Sequence, residues 1–501
     1  MAEPFRDDRA AFGWHRVVCP AEVAKVPPNT LDGSPGSEMT DHRTNEAAET
    51  ERASSKLGVV IAATGFAFLL VQLDVSIVNV ALAAMGSGLG ASVDGLQWIV
   101  DAYTLAFAAL LLFAGTLGDR IGARKVFLGG FALFIASSAA CGLATDLGML
   151  VLARVAQGAG AALMVPSSLA LLNHACAGDA AARSRAVGLW TAAGSVGLAT
   201  GPVVGGLLVG WLGWRSVFLV NVPIGILGIT LTLRFVREAG RRAGRFDAAG
   251  QILGIVALVA IVSAAIEAGP RGWISPIPLA ALATALLAGA AFILAERRSR
   301  DPMLPLGFFR DPAFGAATFV GLCVNLTLYG ILFVLSLYLQ HERGYSPAEA
   351  GRAFLPFTVV LGLANVVAGR IAGRVGALPL MMAGLSIGIA SYGALAFLIG
   401  TQSDLAFQGG LVGLALGIGI TVPTMTSTLL SSVPAERGGV ASGVLNTVRQ
   451  AGGALGVALF GTMLAANAQA GLRGALLVSA AMLAAAAVAM GFAGRAERSA
   501  E

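Results

Sequence analysis

Four polar side chains sit where water should not reach. Asp74 lies in the run GFAFLLVQLDVSIVNVALAAM, Asp101 in LQWIVDAYTLAFAALLLFA, and Arg154 with Gln157 in LVLARVAQGAGAALMVP. A charge at the centre of a membrane helix costs about 2.5–3.5 kcal/mol on insertion scales, so each needs a reason to be there. Two chemistries are open to an acid and a base in such surroundings. They can form an internal salt bridge that only fixes packing. Or the acid can be a proton switch: a low dielectric disfavours its charged form, a nearby guanidinium favours it, and a movement that alters the balance binds or releases H⁺. Both readings remain open for Asp74, Asp101 and Arg154, which the sequence places at similar depth.

The elements that must carry these residues are membrane helices. Hydrophobic residues make up 56% of the 501 and charged residues 12%, about half the share expected of a soluble domain. Mean hydropathy is +0.79. About 20 apolar residues suffice to cross a bilayer as a helix, and lipid leaves no partner for an open backbone. The chain therefore reads as an all-α polytopic membrane protein. Fourteen spans are expected, at 57–85, 95–117, 125–145, 147–173, 184–211, 214–236, 249–268, 277–296, 313–340, 348–372, 377–401, 403–432, 438–467 and 471–494. Loops after the even-numbered spans hold most of the Arg and Lys, which places them, and both termini, in the cytoplasm. Residues 1–56 are polar, lack a signal-peptide core, and read as a disordered cytoplasmic tail. Met39 offers a second possible start of translation.

A repeat divides the chain. GTLGDRIGA at Gly115 recurs as GRIAGRVGA at Gly369, an offset of 254, and GLWTAAGSVGLATGPVVGG at Gly188 aligns with GVLNTVRQAGGALGVALFG at Gly443, an offset of 255. The expected organisation is a six-helix half at 57–236, an inserted helix pair with its flanking loops at 237–312, a second six-helix half at 313–494, and a short cytoplasmic tail at 495–501. Repeated halves place a cargo cavity between them near the midplane, and transport follows from rocking one half against the other.

The loop GTLGDRIGARK joins two apolar spans. Arg120, Arg124 and Lys125 suit the cytoplasmic membrane surface, and Gly115, Gly118 and Gly122 allow a tight turn. A plain topology anchor needs no acid, so Asp119 suggests a latch, made and broken as the halves move. In GLATGPVVGG, Gly197, Gly201, Gly205 and Gly206 form a small face for close packing, and Pro202 bends the helix.

These stretches resemble a known family. GTLGDRIGARK is similar to the loop signature of the major facilitator superfamily. LDVSIVNVAL, LQWIVDAYTLA, RVAQGAGAALMVP, GLATGPVVGG, RFDAAGQILG and RGGVASGVLNTVRQAGGALGVALFG resemble its branch of fourteen-span drug/proton antiporters, over roughly residues 57–494. The resemblance implies proton or substrate coupling at Asp74, with Arg154 and Gln157 assisting proton transfer. It implies a conformational latch at the loop and an exporter-type helix at Gly197–Gly206. Ala83 and Ala123 depart from the family pattern.

Asp101, Tyr103, Phe107, Trp190, Asn325, Tyr329, Asn446 and Arg449 are candidates to line the cavity, with helix packing the alternative for each. Two intramembrane acids suit a cationic cargo. The expected activity is proton-driven export of small hydrophobic, often cationic, toxic compounds across a bacterial-type inner membrane. A narrow metabolite exporter and a proton-coupled importer are the alternatives. An adaptor and an outer-membrane channel would extend the route where a second envelope exists. No cofactor, metal cluster, ATP-binding loop or nucleic-acid surface is expected. The four His are isolated, and the Arg residues sit in short loops between spans.

Overall fold

A computed structural model describes residues 36–176, 180–238, 247–299, 302, 304–399, 403–434 and 437–500. Residues 1–54 form a unit of their own, separate from 55–501. The described residues are helical throughout and contain no strand. The first seven helices are α1 (Gly36–Leu89), α2 (Val93–Ile121), α3 (Ala123–Gly142), α4 (Leu147–Ala175), α5 (Ala180–Leu212), the short α6 (Ser216–Leu219) and α7 (Asn221–Phe235). Two more, α8 (Ala248–Arg271) and α9 (Pro276–Arg298), pack on each other. The remainder are α10 (Pro312–His341), α11 (Pro347–Ala353), α12 (Leu355–Val375), α13 (Ala377–Leu398), α14 (Asp404–Ser431), α15 (Gly438–Ala466) and α16 (Ala468–Ala500). Among the described residues, twelve helical segments are long and apolar enough to cross a membrane, and α2, bent by 51° between Leu111 and Phe113, makes a thirteenth if counted as one span.

At both ends helix extends beyond the expected spans. Residues 36–56 are helical rather than structureless: after Gly36 no Gly or Pro occurs before Gly58, and Ala, Glu and Arg are good helix formers. Residues 495–500, expected as tail, continue α16. The first 35 residues lie outside the described set, as does Arg245.

The helix pairings repeat. α3 packs on α4 and α2 on α4, as α13 packs on α14 and α12 on α14; α3 meets α7 as α13 meets α16. Small residues set the closeness of several of these contacts. A Cβ on Gly197 would run into the Leu69 carbonyl, and one on Gly201 into Ser76. Gly205 meets Ile77 at 2.8 Å in the same sense. Gly197, Gly201 and Gly205 thus bring α5 against α1.

Contacts between the first and last groups of helices gather at one end. Ser336 donates to the Asn79 carbonyl at 2.7 Å, and Gln340 to the Val80 carbonyl at 3.1 Å. Gln97 donates to the carbonyls of Ala458 at 2.6 Å and Val457 at 3.2 Å. Gly206 and Gly351 let α5 and α11 touch backbone to backbone. All lie where α1, α5, α10 and α15 finish. The space left beneath, lined by Ser76, Asn79, Leu198, Phe354 and Phe357, is about 20 Å³, room for roughly one water. That end of the bundle is shut. α8 rests across the same line, with Val262, Ala265 and Ile266 in one apolar cluster with Leu105 of α2 and Ala454 and Ala458 of α15.

Overpacking a tight helix contact costs about 1–3 kcal/mol. Gly201→Val should lower the melting temperature of the purified protein clearly, whereas Gly188→Ala, where no atom lies within 4 Å of the added carbon, should not. Equal melting curves for the two would contradict the close α1–α5 contact.

Candidate functional site

Helix α4 supplies the centre of the site. Arg154 and Gln157 are three residues apart and share a face. The small residues after them let α4 sink between its neighbours: a Cβ on Gly158 would strike the Tyr103 carbonyl of α2, and one on Gly160 would come within 2.8 Å of the Phe134 nitrogen of α3. Arg154 is thereby carried into the interior with 1% of its surface exposed.

There it meets Asp74, which is wholly buried on α1. Arg154 Nη1 stands 2.5 Å from Asp74 Oδ2. Asp74 Oδ1 accepts from Gln157 Nε2 at 2.8 Å and from Asn221 Nδ2 of α7 at 2.9 Å. Ser138 Oγ of α3 accepts from the same two amides, at 2.8 and 3.0 Å. Arg154 also donates to Gln157 Oε1 at 2.8 Å and, through Nε, to the Ile99 carbonyl of α2 at 3.0 Å. Its guanidinium lies 4.3 Å from the centre of the Tyr103 ring. Five helices are tied through one network centred on this carboxylate. A buried ion pair is favourable only when further hydrogen bonds satisfy both partners, and this network supplies them.

Asp101 does not join it. The residue is fully buried, and neither carboxylate oxygen has a partner among the described residues. It lies on α2 one turn from Gln97 and one turn from Leu105, both of which face α15. Asp101 therefore lies on the α2–α15 seam rather than in the Asp74 cluster, although the sequence places the two acids at similar depth.

The other candidates divide. Tyr103 and Phe107 pack together with ring centres 6.1 Å apart, and the Tyr103 hydroxyl is buried without a partner. Tyr329 of α10 reaches Gln72 of α1 and lies in the field of Arg449 of α15. Asn325 is spent on its own helix, donating to the Gly321 carbonyl at 3.0 Å. Asn446 is half-buried on α15. Trp190 is a packing residue: it stacks on Phe68 at 4.0 Å and 7°, and its N–H donates to Ser168 Oγ at 3.0 Å.

The loop differs from its reading. α2 continues to Ile121, so Gly115 and Gly118 lie in the helix against α4, and only Gly122, with φ +108°, makes the turn. Asp119, Arg120 and Lys125 are exposed, and among the described residues Asp119 makes no ion pair. The acid at the turn is Glu238. It accepts from the Arg124 backbone N–H at 3.0 Å and closes over Gly122, while the Arg124 side chain donates to the Leu233 carbonyl at 3.0 Å. A carboxylate at a helix N-terminus meets free N–H groups and the positive end of the dipole. Asp119 sits instead at the C-terminal end of α2, where the dipole repels it.

The sequence model of the Major Facilitator Superfamily matches residues 64–457. The chain belongs to that superfamily. It is 40% identical over 410 residues to the multidrug resistance protein Stp of Mycobacterium tuberculosis, covering 81% of this chain and 76% of that one. It is 40% identical over 433 residues to the methylenomycin A resistance protein of Streptomyces coelicolor, covering 85% and 90%. Among solved structures it resembles a bacterial homologue of the human lysosomal transporter Spinster, in an inward-facing and unoccupied conformation. The TM-score is 0.64 at 19% identity, covering 88% of this chain and 97% of that one. The chain is a transport protein and not an enzyme.

In this transporter the sequence reading missed Ser138, Asn221, Gln97 and Glu238. The first three are small amides or hydroxyls inside apolar runs, a signal shared with many residues that only bond their own helix. Glu238 stands far from the loop in sequence, and only folding brings it there.

Removing one partner of a buried ion pair strands the other, at a cost of about 3–5 kcal/mol. Arg154→Gln alone should therefore destabilise the protein strongly, and Arg154→Gln with Asp74→Asn should be more stable than Arg154→Gln alone. Thermal unfolding in detergent reads this directly. No recovery in the double variant would mean the pair is not coupled.

Proposed function

We propose that this transporter exports small hydrophobic antibiotics and drugs by alternating access, driven by protons moving inward. Relatives that share 36–40% identity over most of the chain are named for multidrug resistance, antibiotic resistance or antibiotic export, which supports efflux. The observation that carries proton coupling is the contrast between two buried acids. Asp74 is held by Arg154, Gln157 and Asn221, while Asp101 has no partner.

The recurring helix pairings support two six-helix halves with α8 and α9 as an inserted pair, fourteen spans in all, and both termini cytoplasmic. On that orientation the shut end faces outward, and cargo enters from the cytoplasmic side. Closing the α2–α15 seam buries Asp101 among apolar groups. An ionised carboxylate without a partner is far more costly there than a neutral one, so closure selects the protonated form. With the outer end open, Asp101 meets water and takes up H⁺ from outside. Closure carries that proton inward; its loss to the cytoplasm as cargo binds leaves an ionised Asp101 that the closed seam disfavours, so the outer end reopens and releases the cargo outside. Asp74 and Arg154 transmit the change: protonating Asp74 weakens its hold on Arg154, which also grips the α2 backbone at Ile99. The seam position favours a coupling role for Asp101 over direct contact with cargo.

A narrow exporter is the second reading. Relatives named for methylenomycin A and for cephamycin, each a single compound, favour it. Testing a panel of chemically unrelated compounds separates the two.

Inverted vesicles loaded with an imposed pH gradient test the proposal. Wild type should accumulate cargo, and a protonophore should abolish it. Asp74→Asn and Asp101→Asn should fall to the level of empty vesicles while remaining folded in the membrane. Accumulation by either variant equal to wild type, or wild-type accumulation that survives the protonophore, would overturn the coupling.

A further inference from the structure

Arg449 is a cation within an apolar span that has no counter-ion. Its Nε is buried and unpartnered, and among the described residues it makes no hydrogen bond or ion pair. Other charges inside the spans are placed differently. Asp74 and Arg154 neutralise each other. Asp101, also without a partner, lies on the α2–α15 seam. Glu267 pairs with Arg271 one turn along α8. An uncompensated guanidinium at this depth is costly unless something mobile compensates it.

Its surroundings are those of a binding site. The aliphatic stem of Arg449 lies against α10, its Cγ 3.4 Å from where a Gly321 Cβ would stand. Tyr329 lies beside it, reaches Gln72 of α1, and shares a field with Tyr103 of α2. Side chains of four helices, two from each end of the chain, thus converge just inside the shut seam, with Tyr329 packed on Gly453 one turn along α15 from Arg449. They offer a planar fork of N–H donors, an amide and two aromatic rings. A guanidinium fork matches a carboxylate with two parallel hydrogen bonds, and the rings suit an apolar body. An arginine that merely fixed packing would be expected to spend its donors on helix carbonyls, as Arg154 does on Ile99 and Arg473 does on Ala396.

We propose that Arg449, with Tyr329 and Gln72, binds a carboxylate on the exported compound, so that this transporter prefers anionic amphiphiles over their neutral counterparts. This reverses the expectation of cationic cargo, which rested on Asp74 and Asp101 both facing the cavity as free charges. The proposal deepens the export reading and rests on it.

The test uses inverted vesicles and three carboxylate compounds with their methyl esters: nalidixic acid, fusidic acid and benzylpenicillin. For at least one pair, wild type should show a KM for the acid about tenfold or more below that of the ester, the scale of a bidentate charge-assisted contact. Arg449→Gln should raise the KM of that acid by the same factor and leave ester transport intact. Arg449→Lys should restore part of the preference. Retained ester transport shows that the variants are folded and that export itself stands. Should Arg449→Gln fail to fold, the wild-type acid-to-ester ratios alone decide. Esters carried as well as or better than every acid, or equal effects of Arg449→Gln on acid and ester, would overturn the carboxylate site. Failure of wild type to move any of the six compounds, or ethidium, would count against export and against this site with it.

Discussion

A low dielectric demands that every buried charge be matched, and this requirement organises the bundle. Asp74 and Arg154 meet it together. Each is inaccessible to water and makes further hydrogen bonds, Asp74 with Gln157 and Asn221, Arg154 with Gln157 and the Ile99 carbonyl. The pair cannot be rearranged without breaking several bonds at once, and its network ties five helices together. Asp101 has no partner among the described residues, and it lies on the surface between the two groups of helices. Under the proposed alternating access, a satisfied network within one group and an unsatisfied acid at the seam are what a two-state device needs.

Small residues make the device possible. Gly197, Gly201 and Gly205 bring α5 onto α1 within the first group, whereas Gly206 and Gly351 allow α5 and α11 to meet across the groups. Without side chains in the way, the across-group contact is shallow backbone apposition, with few hydrogen bonds to break. Gln97, Ser336 and Gln340 add directional bonds at the same end. Such a closure is specific yet separable. At the opposite end the α2–α3 turn is held to the segment after α7 by Glu238 and Arg124, a contact inside one group that stiffens it.

Much of this was legible in the sequence. Long apolar runs located the helices closely, because a bilayer leaves the backbone no alternative, and the Gly197–Gly206 pattern announced a close helix contact. Asp74 and Arg154 were readable as candidates because charges in hydrocarbon stand out, whereas Gln157 entered only through the family resemblance. What could not be read was direction. Asp101 and Asp74 look alike in one dimension, and only the helix faces separate a residue in the network from one in the seam. Gly115 and Gly118 resembled turn residues, yet α2 runs through them because membrane helices tolerate glycine where a neighbour packs closely. Trp190 looked like a cavity aromatic, but a ring and its N–H can both be consumed by packing.

The most direct test follows the seam itself. With the four native cysteines replaced, spin labels at Ser87→Cys and Glu342→Cys, exposed near the shut end, report its opening through the distance between them. In wild type the short distance should dominate at acid pH and give way to longer ones as pH rises, whereas in Asp101→Asn the short distance should persist at every pH. A wild-type distribution indifferent to pH, or one that shifts unchanged in Asp101→Asn, would contradict closure governed by protonation of that buried acid.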